Sequence, residues 1–135
     1  MKKYAIIIVE NDEDEQFFMR QGFEKSGLFD IMDVLVNGDA LFDKLSQSGD
    51  LPEIILSDLN MPGKNGYDII LGINQNPLYQ KIPVVITSTS NTPSTKEKCL
   101  NQGAAAYIVK PDTFIDYEPF AVRLHEMLAD KIALT

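Results

Sequence analysis

Cysteine is nearly absent: the 135 residues contain one, Cys99. An internal disulfide is therefore excluded, and the composition suits a reducing compartment, with Cys99 read as a small packing residue on a helix. Long apolar runs are missing as well. The start, Met1-Lys-Lys-Tyr-Ala-Ile-Ile-Ile-Val9, imitates a secretory leader, but Glu10-Asn-Asp-Glu-Asp-Glu15 ends it far short of a leader or a span, so a cytoplasmic protein is expected. Positive charge is scarce, with 12 Lys and Arg against 20 Asp and Glu and a net charge of −8. Nucleic acid and anionic membrane are thus poor partners, whereas a divalent cation or a basic protein surface suits the chain better. Repeats, low-complexity tracts and linkers are also lacking, and residues 1–135 read as one domain.

What is present is a regular alternation. Apolar runs at Tyr4–Val9, Ile31–Val36, Ile54–Asp58, Pro83–Ser88 and Ala106–Val109 read as strands. Between and after them, helical patterns fall at about Glu13–Ser26, Asp39–Gln47, Tyr67–Gln75, Pro93–Asn101 and Ile115–Ile132. Gly27 closes the first helix as a C-terminal glycine does. Five strands alternating with five helices predict an α/β fold with a parallel sheet covered on both faces, and the nearly continuous Ile and Val runs agree.

In such a sheet every strand carboxyl end lies at one edge, which is where open α/β sheets place their ligands. That edge would gather Glu10, Asn11 and Asp12 from the first strand, Asp58 from the third, Ser88 from the fourth and Lys110-Pro111 from the fifth. Asp58 is the most informative of these. It ends the run Ile54-Ile-Leu-Ser-Asp58, and Pro62, Gly63 and Gly66 then prevent regular structure, so the carboxylate is delivered beneath a loop. Oxygen ligands from Glu10, Asn11 and Asp58 suit a small hard cation such as Mg²⁺. A carboxylate beside a metal ion can attack phosphorus, and a lysine with a hydroxyl suits the remaining oxygens of a phosphoryl group.

With these residues in view, the chain resembles the receiver domain of bacterial response regulators, single-domain chemotaxis regulators included, from Tyr4 to about Leu128. Asp58-Leu-Asn60-Met-Pro62 with Gly66 looks like the phosphoacceptor loop, Ser88 falls at the switch hydroxyl, Tyr107 at the switch aromatic, and Lys110-Pro111 at the lysine and its proline. The resemblance implies a flavodoxin-like doubly wound sheet of order 2-1-3-4-5 with five helices, and no output domain. It further implies that Asp58 accepts a phosphoryl group from a histidine kinase, a histidine phosphotransfer protein or a small phosphodonor, and that an unnamed downstream protein reads the altered surface. Metal would be held by Asp58, the backbone carbonyl of Asn60 and, through water, Glu10. Lys110 and Ser88 would contact the phosphoryl group, and Asn60 and Ser90 would tune its loss. The Lys110–Pro111 bond would be cis, and the chain a monomer or weak homodimer.

One position departs from the family pattern. The second acid of the usual pair is Asn11, which removes a charge and should weaken Mg²⁺ binding, unless Asp12 compensates by a one-residue shift. The remaining acids to Glu15 read as a solvated helix start at the positive end of the dipole. Tyr107 would move with Ser88 and mark a partner-binding surface. On a helical wheel Phe18, Met19, Gly22 and Phe23 form the buried stripe and Phe17 points away. Its ring would either dock a phosphodonor's helix or lie along its own. His125 reads as a surface residue. Two other readings compete: a phosphatase, disfavoured because Asn60 stands where a general acid is wanted, and a degenerate receiver acting as a phosphorylation-independent interaction module. A flavin site is rejected, since Glu10–Glu15 offers phosphate an acidic loop.

Overall fold

The first strand explains the architecture. In β1 (Tyr4–Val9) Ile6 and Ile8 face one core and Ile7 and Val9 another, so no side of the strand meets water. The same alternation continues in β3 (Ile54–Asp58), β4 (Val84–Ser88) and β5 (Ala106–Val109), whose neighbours enter opposite cores in turn. A strand buried on both faces needs helices on both, and the chain supplies them. In this computed structural model, which describes residues 2–47, 49–112 and 116–131, all pairings are parallel and the order is β2-β1-β3-β4-β5, with β2 spanning Phe29–Leu35. Helices α1 (Glu13–Ser26) and α5 (Glu118–Lys131) cover one face through Met19, Phe23, Phe120 and Leu124. Helices α2 (Gly38–Gln47), α3 (Gly66–Gln75) and α4 (Pro93–Asn101) cover the other through Leu41, Leu45, Ile69, Ile73 and Cys99.

Local chemistry fixes the helix ends. The Asp12 carboxylate accepts from the Glu15 amide at 2.9 Å and caps α1, while Gly27 ends it at φ 70°. Asn65 and Asp68 form a reciprocal capping box on α3, and Pro93 opens α4. Gly66 lets α3 begin directly against the loop after β3, since a Cβ there would stand 2.9 Å from Leu59 Cα and 3.0 Å from the Asp58 carbonyl oxygen. The loop that follows Asp58 is thereby pinned.

Five of the ten elements have the bounds read from the sequence, and three others move by one residue. Strand β2 runs from Phe29 because Phe29 and Asp30 pair with Tyr4 and Ala5, contacts that its weak local pattern does not reveal. Helix α5 starts at Glu118, after Asp116 and Tyr117 in irregular backbone; the expected ends at Ile115 and Ile132 lie outside the described residues. His125 is a correction. It is buried, its Nε2 lies 2.7 Å from the Lys2 carbonyl oxygen, and its ring meets Tyr4 edge-on at 5.4 Å. The core at that end of the sheet is aromatic, and an imidazole with one polar partner fits it. The Lys110–Pro111 bond is trans, as no cis peptide occurs among the described residues. The Lys110 amide donates to the Ser88 carbonyl at 2.8 Å and continues the β4–β5 ladder in the isomer that X-Pro bonds favour.

Helices α1 and α5 meet at Gly22, where an added Cβ would lie 2.6 Å from the Tyr117 carbonyl carbon and 2.7 Å from the Glu118 nitrogen. Backbone cannot yield as a side-chain tip can. Gly22→Ala should cost about 1–3 kcal/mol despite its better helix propensity. Urea denaturation tests this, and a neutral or stabilised variant would show that the helices separate freely.

Candidate functional site

The sheet reverses its winding between β1 and β3, and the residues ending those strands, Glu10 and Asp58, are both buried. Each is locked by its backbone: the Glu10 amide donates to Leu35 O at 2.9 Å, and Leu59 after Asp58 donates to Thr87 O at 3.0 Å. From β5, Lys110 reaches across the edge to both. Its Nζ lies 3.0 Å from Glu10 Oε1 and 3.3 Å from Asp58 Oδ1. A third carboxylate, from α1, completes the cluster, with Lys110 Nζ 2.9 Å from Glu15 Oε2. The lysine side chain is only 7% exposed, and its ammonium donates to Glu10 while facing the carboxylates of Glu15 and Asp58 as ion pairs.

One ammonium faces three carboxylates in a largely buried cluster, and two of the acids bind their protons more tightly than usual. Burial, then the neighbouring Asp58, pushes the Glu10 carboxyl up to about 7. Burial raises Asp58 too, against the pull of Lys110 and the Asn60 amide. Burial alone would lower Lys110, but Glu15, Asp58 and Glu10 together hold it above the ordinary lysine value. The lysine stays charged at any physiological pH.

Four of the residues read from the sequence converge here. Glu10, Asp58 and Lys110 are in direct contact, and Ser88 follows through Asn60, whose Nδ2 lies 3.5 Å from Ser88 Oγ. Ser88 Oγ also accepts from the Ser90 amide at 3.2 Å. Tyr107 is buried, its hydroxyl donating to Ser90 O at 2.6 Å, so the ring closes the α4 side of the site. Phe17 does point outward, 61% exposed, with its ring edge-on to Phe18 at 5.2 Å; Phe18 itself is only partly buried.

Asn11 is exposed beside Glu10, and Asp12 does not compensate for it, being exposed and committed to capping α1. Glu15 is the residue the sequence reading missed. Its place in an acidic run hid it, although it sits four residues before Met19 and seven before Gly22, on the helix's inner stripe. Tyr117, fully buried ahead of α5, was missed with it; its hydroxyl donates to the same Glu15 Oε2 at 3.0 Å.

The donor set can be tested against a divalent cation. Among the described residues no group of three His, Cys, Asp or Glu side chains is arranged to hold a metal ion. Glu10 and Asp58 are nevertheless two neighbouring carboxylates whose protons are held on by burial, and a hard cation at their oxygens would favour their charged forms. The residues present therefore fit such an ion, with fewer charged ligands than three acids would give.

Comparison with known proteins agrees with this arrangement. A family model described as the response regulator receiver domain matches residues 6–116. Two-component response regulator ORR12 of Oryza sativa subsp. japonica is 41% identical over 63 residues, covering 47% of this chain and 52% of that protein. Two-component response regulator ORR13 of the same organism is 32% identical over 98 residues, 73% of this chain and 74% of that one. The matches to the first such relatives span about half of their length. Among solved structures, the phosphorylated cyanobacterial phytochrome response regulator RcpA has a TM-score of 0.77 at 21% identity, over 98% of this chain and 96% of that one. The Mn²⁺-bound form of response regulator Rcp1 has a TM-score of 0.72 at 24% identity, over 94% and 92%.

The raised Glu10 carboxyl has a measurable consequence in metal-free buffer. A carboxyl that binds its proton more tightly when folded than unfolded favours folding at low pH, and that contribution is lost as pH rises from the ordinary value of 4.5 through about 7. Glu10→Gln removes it. The stability of the variant relative to wild type should therefore grow by about 2–3 kcal/mol between about pH 5 and pH 8. Urea midpoints at the two pH values measure the difference, and a gap independent of pH would contradict the assignment.

Proposed function

The chain belongs to the response regulator receiver domain family of two-component systems, and on that premise we propose that Asp58 is its phosphoacceptor. Phosphorylation on an aspartate is general to the family, and its members are generally not enzymes in the ordinary sense. The observation that carries the proposal is Lys110 lying 3.3 Å from a buried carboxylate at the sheet's switch point, beneath the Asn60-Met-Pro loop.

In this reading a carboxylate oxygen of Asp58 bonds to phosphorus as the donor's bond to phosphorus breaks, and the donor group leaves with that electron pair. Asp58 must be ionised to attack. Burial opposes this, while Lys110 and the Asn60 amide favour it. Lys110 then neutralises oxygens of the transferred group, and Ser88 turns from Asn60 and Ser90 to donate its hydroxyl to another. Tyr107 follows by exchanging its bond to Ser90 for a new position, which alters the β5 surface and partner affinity. Asn60 and Ser90 flank the acceptor and set how readily water reaches it. Receiver domains generally bind Mg²⁺; here Glu10, Asp58 and the Asn60 carbonyl would hold it, and it would supply positive charge to the reacting oxygens. Asn11 in place of an acid makes that binding weak.

The phosphodonor is a histidine kinase or a histidine phosphotransfer protein, and Phe17, an exposed ring on α1 near the site, is the proposed docking point. Signalling proceeds by protein binding or onward phosphotransfer through a downstream partner, with the chain acting as a receiver in the cytoplasm. Among the described residues no helix is long and apolar enough to cross a membrane.

Acetyl phosphate with Mg²⁺ should add one phosphoryl group to wild type and none to Asp58→Asn, by intact mass. Wild type without an adduct would favour a phosphorylation-independent interaction module instead. Asn11→Asp should bind Mg²⁺ several-fold more tightly by calorimetry, because affinity follows ligand charge. An unchanged affinity would remove residue 11 from the metal site.

A further inference from the structure

We propose that Glu15 is a positioning residue that grips Lys110 in the unphosphorylated chain and reports the state of Asp58 to Tyr117 and the start of α5. The inference rests on Asp58 as the acceptor. Its basis is a continuous line of polar contacts: Asp58 Oδ1 to Lys110 Nζ at 3.3 Å, Lys110 Nζ to Glu15 Oε2 at 2.9 Å, and that same oxygen to the Tyr117 hydroxyl at 3.0 Å. The line crosses three elements, from β3 through β5 and α1 to the residue that opens α5. It is separate from the route through Ser88 and Tyr107, which runs to the α4 side.

The geometry makes the link responsive. Lys110 has three donors and three carboxylate partners, and the Asp58 contact is the longest of the three. A phosphoryl group on Asp58 adds charged oxygens next to an ammonium that already faces three carboxylates, so its hold on one of them must weaken. Glu10 is 1% exposed and its carboxylate also accepts from the Asp12 amide, so it has nowhere to go. The Glu15 side chain is 19% exposed, on the first turn of a helix, and has solvent to turn into. Tyr117 has no such freedom. Its side chain is fully buried, with its ring edge-on to Phe120 at 5.3 Å, and losing Glu15 leaves its hydroxyl without that acceptor. A buried hydroxyl is costly to leave unpaired, so Tyr117 must find another acceptor or shift. Its carbonyl accepts from the Ala121 amide at 2.9 Å in the first turn of α5, and Gly22 holds its backbone against α1. Movement of Tyr117 therefore loosens the start of α5. Glu15 also occupies the place in charge that Asn11 vacates, as the third carboxylate around Lys110.

Glu15→Gln is close to isosteric, and its amide oxygen can still accept from Tyr117, but it no longer offers Lys110 a charge. Glu13→Gln makes the same charge change on an exposed neighbour and serves as the control. Intact mass after acetyl phosphate and Mg²⁺ establishes the adduct in each chain. Beryllofluoride with Mg²⁺ then mimics the phosphoryl group while amide exchange at Ala121 and the ¹⁹F signal of fluorotyrosine at position 117 are followed. In wild type and Glu13→Gln, the mimic should speed exchange at Ala121 several-fold and shift the fluorotyrosine signal. In Glu15→Gln both responses should largely vanish while the adduct still forms, and exchange before the mimic is added should stay near that of wild type, because the amide oxygen still accepts from Tyr117. Equal responses in all three chains would overturn the link, as would a Glu15→Gln chain that accepts no phosphoryl group, since Glu15 would then belong to the acceptor chemistry. Wild type that forms no adduct would overturn the acceptor reading and this one together.

Discussion

A single buried ammonium organises the working edge of this molecule. Lys110 is nearly enclosed, and three carboxylates from three elements close on it. Removing such a cation would leave charged acids uncompensated in a poorly solvated pocket, a far larger penalty than losing a surface ion pair. Glu10 and Asp58 hold their protons more tightly than usual, chiefly because burial penalises their charged forms by more than Lys110 offsets. The pocket is thus poised to accept further positive charge, and under the proposed function to redistribute the charge it has.

The fold exists to hold that arrangement still. Glu10 directly follows β1 and Asp58 ends the adjacent β3, both doubly covered strands, and the backbone at each point is hydrogen-bonded into the ladder. The groups with solvent or loop around them are Ser90, in the loop towards α4, and Glu15, on the first turn of α1. Rigid acceptor and mobile readers are what a switch requires, since a shared pocket in which everything moved would dissipate the added charge locally.

Most of the architecture was legible from residue pattern alone, because strands buried on both faces must be near-continuous Ile and Val and the helices between them carry clear stops. The failures share one physical cause. Phe29 and Asp30 become strand only through pairing with Tyr4 and Ala5, and His125 is buried only because Lys2, Tyr4 and Phe29 come to meet it. In each case the deciding partner is far away in the chain. Glu15 is the instructive omission at the site. Inside a run of five acids, a solvated helix start is the natural reading, and only its helical spacing from Met19 and Gly22 separates Glu15 from Glu13 or Asp14.

Sequence by itself determined the chemistry available at the edge: a strand-terminal aspartate, a lysine and a hydroxyl at two other strand ends, and an amide where an acid is usual. Parallel topology then obliges those residues to share one rim, so their convergence was implicit in the order of the elements. Only the tertiary structure decided how the lysine's three donors are divided, and that Tyr117 and Glu15 join the set. Hydrogen-bond partners are fixed within a few tenths of an ångström by how α1 and α5 pack across Gly22, a contact between residues about a hundred positions apart that periodicity cannot encode.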